Sequence, residues 1–371
     1  MDWEAEGLLD ELTDDGAREA RRALLDELHA DGVELSELRQ AVEEQRLALV
    51  PLDRLLGGEA RYTARELAEK SGVPLESLQA TRRALGLAVP DPEQRLFDED
   101  DLEAAKISRR VRDSGFAEEH ILETNRVLGR GMARYSEALR TVSADVILEP
   151  GADERELAQR FAAVGAEQLP LAKAWLQHVF LLHFRQMLRH EAVTLQERTT
   201  GRSDSRQQAI GFADLVGFTE LGETVAVEEL GDVAARLSRM AGEVVEPPVR
   251  LVKTIGDAVM FAAPEPTPLV NAALALVERG ERTDDFPPLR VGISYGPAVN
   301  QWGDWFGSTV NLASRLTARA RPSSVLVSED VRERVGEDGY TWSSAGPKKL
   351  KGFSAPVKTF RVRREPDASG P

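Results

Sequence analysis

VRLVKTIGDAVMFAA, residues 249–263, reads as two apolar strands joined by a tight turn at Ile255-Gly256-Asp257. Glycine at the turn relieves backbone strain that a side chain would meet there, and the flanking Val, Ile and Phe suit a pleated, half-buried surface. The stretch is therefore a β-hairpin, and it commits the C-terminal half of the chain to a fold with a sheet. It also sets two charges, Lys253 and Asp257, among apolar residues. A surface turn accounts for Asp257 but not for Lys253, because burying a lysine without a partner costs on the order of several kcal/mol.

Around the hairpin the same pattern repeats. AIGFADLVGFT (209–219), PLRVGISYGPAV (288–299) and SSVLVS (323–328) are strand-like runs, and helical stretches at 227–244, 267–280 and 308–321 separate them. Residues 208–365 are thus expected to form one α+β domain, ahead of a loose tail at 366–371. Upstream the periodicity changes. EAEGLLDELTDDGAREARRALLDELHADG (4–32) has apolar residues at three- and four-residue spacing and few β-branched ones, and residues 1–198 read as an all-α domain. A connecting helix is expected at about 170–198 and a polar linker at 199–207. Within this half, Thr63, Gly72 and Pro74 punctuate two short helices in a unit at about 61–116 that resembles the helix-turn-helix of MerR-type regulators. A packing module of three helices has the same signature.

Composition narrows the chemistry. The 371 residues and 42% hydrophobic content suit two globular domains. No uninterrupted apolar run is long enough to span a membrane and the acidic N-terminus lacks a signal-peptide plan, so a cytoplasmic protein is expected. The net charge of −16, carried almost wholly by residues 1–200, would repel a polyphosphate backbone and counts against nucleic acid as the main partner. With no cysteine there is no disulfide, thiolate site or thiol nucleophile; a metal must sit on carboxylates or histidines, which favours Mg²⁺ or Mn²⁺.

Three elements carry chemistry. GFADLVGFTELGE (211–223) puts Asp214 at the end of a buried strand, before a turn into a helix whose first N–H groups can receive phosphate oxygens. A helix-capping aspartate is the other reading. The hairpin supplies Asp257, and if it lies beside the strand of Asp214 the two carboxylates meet at the sheet's edge and can hold two divalent cations. In NQWGDWFGSTVNLASRLTARARP (300–322), Asn311 and Arg315 share a helix face, as suits a ribose and a phosphate, and Asp304 in the aromatic loop can accept from an exocyclic amine. Each of these alone is also consistent with ordinary polar surface.

In order and spacing the three elements resemble the class III nucleotidyl cyclases, over about residues 208–363. The resemblance implies a ferredoxin-like α+β catalytic domain and a homodimer with shared sites. It implies that Asp214 and Asp257 bind two divalent cations (Mg²⁺ or Mn²⁺), that Lys253 and Asp304 read adenine, and that Asn311 and Arg315 serve the transition state. It implies contacts to ATP from Phe218 and Thr219, and less specifically from Lys351 in KKLKGF (348–353). Lys253 and Asp304 match a donor and an acceptor to adenine, whereas guanylyl cyclases of the family usually have Glu and Cys there; the expected activity is formation of cyclic AMP from ATP. The order of a helical acidic domain, a connecting helix and a cyclase domain resembles actinobacterial cyclases whose N-terminal domain inhibits the catalytic one and responds to acid. His178, His183 and His190 on the connecting helix are the residues expected to sense pH, since unperturbed histidine titrates near pH 6.5; ordinary partly buried histidines are the other reading. A silent nucleotide sensor and a DNA-binding regulator are the competing readings.

Overall fold

The computed structural model describes residues 1–58, 60–147, 151–198 and 205–365, and leaves aside the side chains of 144–146, 189–198 and 227–228. The expected tail, most of the expected linker and the side chain of His190 lie outside the described residues. The chain divides into two compact units, Met1–Val193 and Thr194–Pro371.

The first unit is helical: α1 (Asp15–Ala30), α2 (Leu35–Glu43), α3 (Val50–Gly57), a short strand β1 (Tyr62–Thr63), α4 (Ala64–Ser71), α5 (Leu75–Ala84), β2 (Arg95–Phe97), α6 (Glu99–Asp113), α7 (Glu118–Ile147) and α8 (Glu154–Arg198). Trp3, Leu9, Leu24, Leu25, Leu38 and Val50 form one buried cluster, to which Ala158 of α8 adds. Arg21 of α1 pins the start of α8 through Glu154 at 2.7 Å, and Arg155 answers through Glu27 at 2.9 Å. Local chemistry explains the helix-turn-helix-like unit: Thr63 and Glu66 form a reciprocal capping box, Gly72 closes α4 in the left-handed region at φ 70°, and Pro74 opens α5. The ribbon of β1 and β2 is the only departure from an all-helical unit among the described residues. Arginines of this unit are engaged internally: Arg65 pairs with Glu93, Arg95 with Glu66, Arg109 with Asp113, and Arg82 lies over Phe97.

The expected connecting helix begins earlier than residue 170. It is the end of α8, one helix with Pro170 inside it. A proline normally starts or breaks a helix, but here the preceding segment, rich in Ala, Glu, Gln and Leu, propagates helix into it. Apolar side chains along α8, among them Leu171, Trp175 and Phe180, stay exposed within the chain. No helix among the described residues is long and apolar enough to cross a membrane.

The second unit runs β3 (Ser205–Leu215), α9 (Phe218–Leu221), α10 (Val227–Glu243), β4 (Arg250–Ile255), β5 (Ala258–Ala263), α11 (Pro266–Glu281), β6 (Leu289–Gln301), β7 (Asp304–Phe306), α12 (Ser308–Thr317), β8 (Ser324–Ser328), α13 (Glu329–Val335), β9 (Tyr340–Lys348) and β10 (Val357–Arg364). The sheet order is β4-β5-β3-β6-β8-β10-β9, with β7 added on β6. Its first four strands, joined through α10 and α11 and antiparallel to one another where they pair, are the βαββαβ arrangement of a ferredoxin-like fold, and β6 then pairs β8 in parallel. The expected hairpin is β4 and β5, with Gly256 at φ 58°.

Alternation divides the sheet's two faces. Ala209, Ala213 and Leu215 of β3 join Leu237 of α10 and Leu269, Ala273 and Leu276 of α11 in the main core. Ile210 and Phe212 face the other way, with Met260 and Ala313 of α12. Helix α12 lies close enough on β6 that a Cβ at Gly292 would stand 2.1 Å from the Thr317 nitrogen and 2.6 Å from the Ala313 oxygen. Glycine there sets the seat of α12, anchored further by Thr317 Oγ1 donating to Phe212 O at 3.1 Å and Ser294 Oγ to Thr309 O at 2.6 Å.

Candidate active site

Strand β3 places Asp214 one residue from its end, in register with Ala258 of β5 and Arg290 of β6. Its side chain belongs to the Ile210–Phe212 face, that of α12. Asp257 sits at the hairpin turn immediately before Ala258, and its carbonyl accepts from Leu215 N at 3.2 Å, so strand pairing alone carries the two aspartates to the same end of the sheet. Burial, and then the charge of Asp214, push the Asp257 carboxyl above the ordinary carboxylate range. Asp214 caps no helix: the N-cap of α9 is Gly217, in the left-handed region, with no side-chain cap. Its Oδ2 instead accepts from Arg290 Nε at 2.7 Å and from Arg290 Nη2.

This arrangement passes a simple test for a hard divalent cation. Two carboxylates meet with no sulfur or imidazole donor, and their mutual repulsion is what a cation would relieve. Among the described residues no cluster of three or more His, Cys, Asp or Glu forms a complete metal cage. A divalent cation held by these two carboxylates would need further oxygen ligands from outside the described residues.

A second pair forms on the same sheet. Lys253 Nζ donates to Asp304 Oδ2, not to Asp257. Both side chains are about one-third exposed, at 35% and 32%, so the pair is open to a ligand. Asp304 Oδ1 accepts from the Trp305 backbone at 2.9 Å, which fixes the carboxylate. A β-bulge brings Lys253 there. Leu251 stands opposite Phe261, but Lys253 stands opposite Met260, so the ladder slips by one residue at Val252. In a regular strand, residues 251 and 253 would share a face; the slip turns Lys253 away from the main core onto the face of α12 and β7.

The remaining candidates are placed but unpaired. Asn311 and Arg315 project one turn apart from α12, both exposed, and among the described residues no side-chain hydrogen bond or ion pair engages either. Lys351 is exposed beside Leu350, which is buried against Leu316 and Leu326. Phe218 is half-buried against the main core and Thr219 is exposed; their N–H groups precede the first bond of α9, Leu221 N to Gly217 O at 2.8 Å. Among the described residues no hydrogen bond or ion pair links Asp214 and Asp257 to Lys253, Asp304, Asn311 or Arg315. In the other unit, His178 and His183 are exposed on α8, with the His178 ring 5.9 Å from that of Trp175.

Arg290 escaped the sequence reading. Its signal was the same as that of Lys253, a cation within an apolar run, but its partner depends on the β3–β6 register, which single-sequence patterning does not fix.

Comparison with known proteins covers both units. Residues 1–188 match the family model described as adenylate cyclase regulatory domain, and residues 202–364 match that of the adenylate and guanylate cyclase catalytic domain. The chain is 41% identical to the pH-sensitive adenylate cyclase MT1302 of Mycobacterium tuberculosis (strain CDC 1551 / Oshkosh), over 95% of this chain and 90% of that one. It is 33% identical to the uncharacterized protein Rv2212 of Mycobacterium tuberculosis (strain ATCC 25618 / H37Rv), over 94% and 92% of the two chains. With an adenylate cyclase of Streptomyces coelicolor it shares 32% identity over 79% and 76%.

Proposed function

The chain belongs to the adenylate cyclases that join a regulatory domain to the adenylate and guanylate cyclase catalytic domain, and from that premise we propose that it converts ATP to 3′,5′-cyclic AMP and pyrophosphate. The observation that carries the choice of base is the Lys253–Asp304 pair. Its ammonium can donate to an adenine ring nitrogen and its carboxylate can accept from the 6-amino group, whereas the 6-oxo group and N1–H of guanine reverse that polarity.

Asp214 and Asp257 would hold two divalent cations, Mg²⁺ or Mn²⁺, whose charge acidifies the ribose 3′-hydroxyl and neutralises the triphosphate. Asn311 orients the ribose so that its 3′-oxygen lies in line with the α-phosphorus. As the new P–O bond forms and the bond to pyrophosphate breaks, Arg315 meets the charge that grows on the α-phosphate. The N–H groups of Phe218 and Thr219, with Lys351, receive the outer phosphates.

The metal pair and the Asn311–Arg315 pair belong, on this proposal, to opposite halves of each site, contributed by two chains of a homodimer. The exposed, unpartnered state of Asn311 and Arg315 supports it. Regulation by the N-terminal domain, with protonation of His178, His183 and His190 on α8 shifting the dimer between inhibited and active arrangements, completes the proposal; the pH sensitivity for which the 41% identical relative is named supports a pH response.

Incubating the full chain with ATP or GTP and Mn²⁺ and identifying the cyclic product tests the reaction: cyclic AMP from ATP is expected, and Arg315→Ala should lower turnover by roughly 10²- to 10³-fold. Cyclic GMP as the main product would overturn the reading of the base pair. A variant with all three histidines changed to glutamine should lose the pH response; an unchanged profile removes them as sensors.

A further inference from the structure

Three buried leucines from three elements, Leu316 of α12, Leu326 of β8 and Leu350 of the loop between β9 and β10, pack as one cluster. Cations surround it. Arg315 and Arg319 lie on either side of Leu316, the second in the turn that closes α12, where its N–H donates to Leu316 O at 2.9 Å; Lys349 and Lys351 flank Leu350. Arg361 of β10 stands opposite Leu326. Its neighbours Phe360 and Val362 join the main core, so alternation turns Arg361 to the side of the leucines. Arg361 is half-buried and the other four are exposed, and among the described residues none of the five enters an ion pair.

Unpaired cations on this scale stand out in a chain of 63 acidic and 47 basic residues. Residues 305–328 hold three arginines and residues 339–364 seven cations, without one Asp or Glu in either segment. The opposite face of β10 is neutralised, Lys358 by Glu329 at 2.8 Å and Arg364 by Glu278 at 3.2 Å. The excess positive charge is therefore confined to the side of α12. Apolar packing holds these like charges together against their repulsion, and a multivalent anion would relieve it.

We propose that Arg319, Lys349 and Arg361 extend the phosphate end of the site beyond Arg315 and Lys351, as a cation surface that holds the β- and γ-phosphates of the nucleotide and then the departing pyrophosphate. The proposal rests on the reading of Arg315 and Lys351 as phosphate-facing residues. It assigns the three added cations to binding, not to bond formation. A phosphate chain without base or ribose should therefore occupy the surface by itself.

Inorganic tripolyphosphate is the probe. With the full chain it should inhibit cyclic AMP formation competitively with ATP, and calorimetry should show it binding without metal or nucleotide. In the combined variant Arg319→Gln, Lys349→Gln, Arg361→Gln, its dissociation constant and KM for ATP should each rise by roughly tenfold or more, with a smaller change in kcat, and its binding should depend less on salt. Arg319→Lys keeps the charge and should keep the parent's affinity. Unchanged tripolyphosphate affinity in the combined variant, or inhibition that is not competitive with ATP, would overturn the proposal. So would a shift of the variant from dimer to monomer on ultracentrifugation, which would assign the cations to a subunit contact. If the combined variant does not fold, Arg319→Gln decides alone, with an expected loss of roughly twofold or more. Calorimetry needs no turnover: a parent that binds tripolyphosphate but forms no cyclic product from ATP would sink the reaction proposed above and leave the phosphate surface standing.

Discussion

Gly292→Ala tests how the seat of α12 governs catalysis. The added Cβ would stand 2.1 Å from Thr317 N, 2.6 Å from Ala313 O and 2.6 Å from Thr317 Oγ1. Two of these are backbone atoms of the helix, so no side-chain rotation relieves them, and α12 must retreat from β6 by roughly 1.3 Å or more to restore van der Waals contact. Such overpacking costs about 1–3 kcal/mol, read as a lower urea midpoint with an unchanged slope. Asn311 and Arg315 ride on the displaced helix. A shift of about 1 Å in groups that serve a transition state can lower turnover about 100-fold, so kcat for ATP should fall far more than stability accounts for, while Mn²⁺ affinity at the Asp214–Asp257 end is preserved. Gly211→Ala is the matched control. Its Cβ would meet only Leu269 and Ile293 side chains, at 3.4 Å and beyond, and it should retain near-parent activity. If Gly292→Ala kept both the parent's midpoint and its rate, the reasoning from the helix seat would be refuted.

Other perturbations address the remaining elements. Deleting Val252 makes Lys253 the residue next to Leu251, so the ladder becomes regular with Lys253 still opposite Met260 and still on the face of α12; the folded variant should keep ATP turnover and its preference over GTP, and loss of that turnover with the fold intact would show that the aim of Lys253 depends on more than its register. The Asp257 carboxyl is held above its unfolded value by burial and by Asp214, so the folded protein binds that proton more tightly than the unfolded chain does. Its contribution therefore favours the fold at low pH and is lost as pH rises from the ordinary carboxylate value through the raised one. Thermal melts of the metal-free protein should show this loss in the parent but not in Asp257→Asn, and saturating Mn²⁺ should cancel it; identical melts for parent and variant would contradict it. Replacing Asp304 with Ala removes the acceptor and leaves Lys253 without its partner, so KM for ATP should rise and discrimination against GTP should fall; unchanged selectivity would separate this pair from base reading.

The sequence carried much of this unevenly. The hairpin turn was legible because Gly256 needs positive φ and the flanking residues are β-formers, and Thr63, Gly72 and Pro74 announced their helix ends through local hydrogen bonding. What local patterning could not supply was register. The bulge at Val252 is invisible because Leu251, Val252 and Lys253 look alike in a regular or a slipped ladder; only pairing with Met260 and Phe261 reveals it. Arg290 is similar: it acquires meaning from lying opposite Asp214, a partner 76 residues away in sequence. The long α8 was misjudged at its start because Pro170 is a strong local signal overridden by helix propagating from upstream.

The claim that each site is completed by two chains is tested most directly by mixing Asp257→Ala with Arg315→Ala under conditions that allow subunit exchange. Each variant alone should be nearly inactive. A mixed dimer would contain one site lacking both groups and one intact site, and with random exchange about half the dimers are mixed, so about a quarter of parental turnover should return. No recovery of cyclic AMP formation, with exchange verified independently, would contradict the shared site.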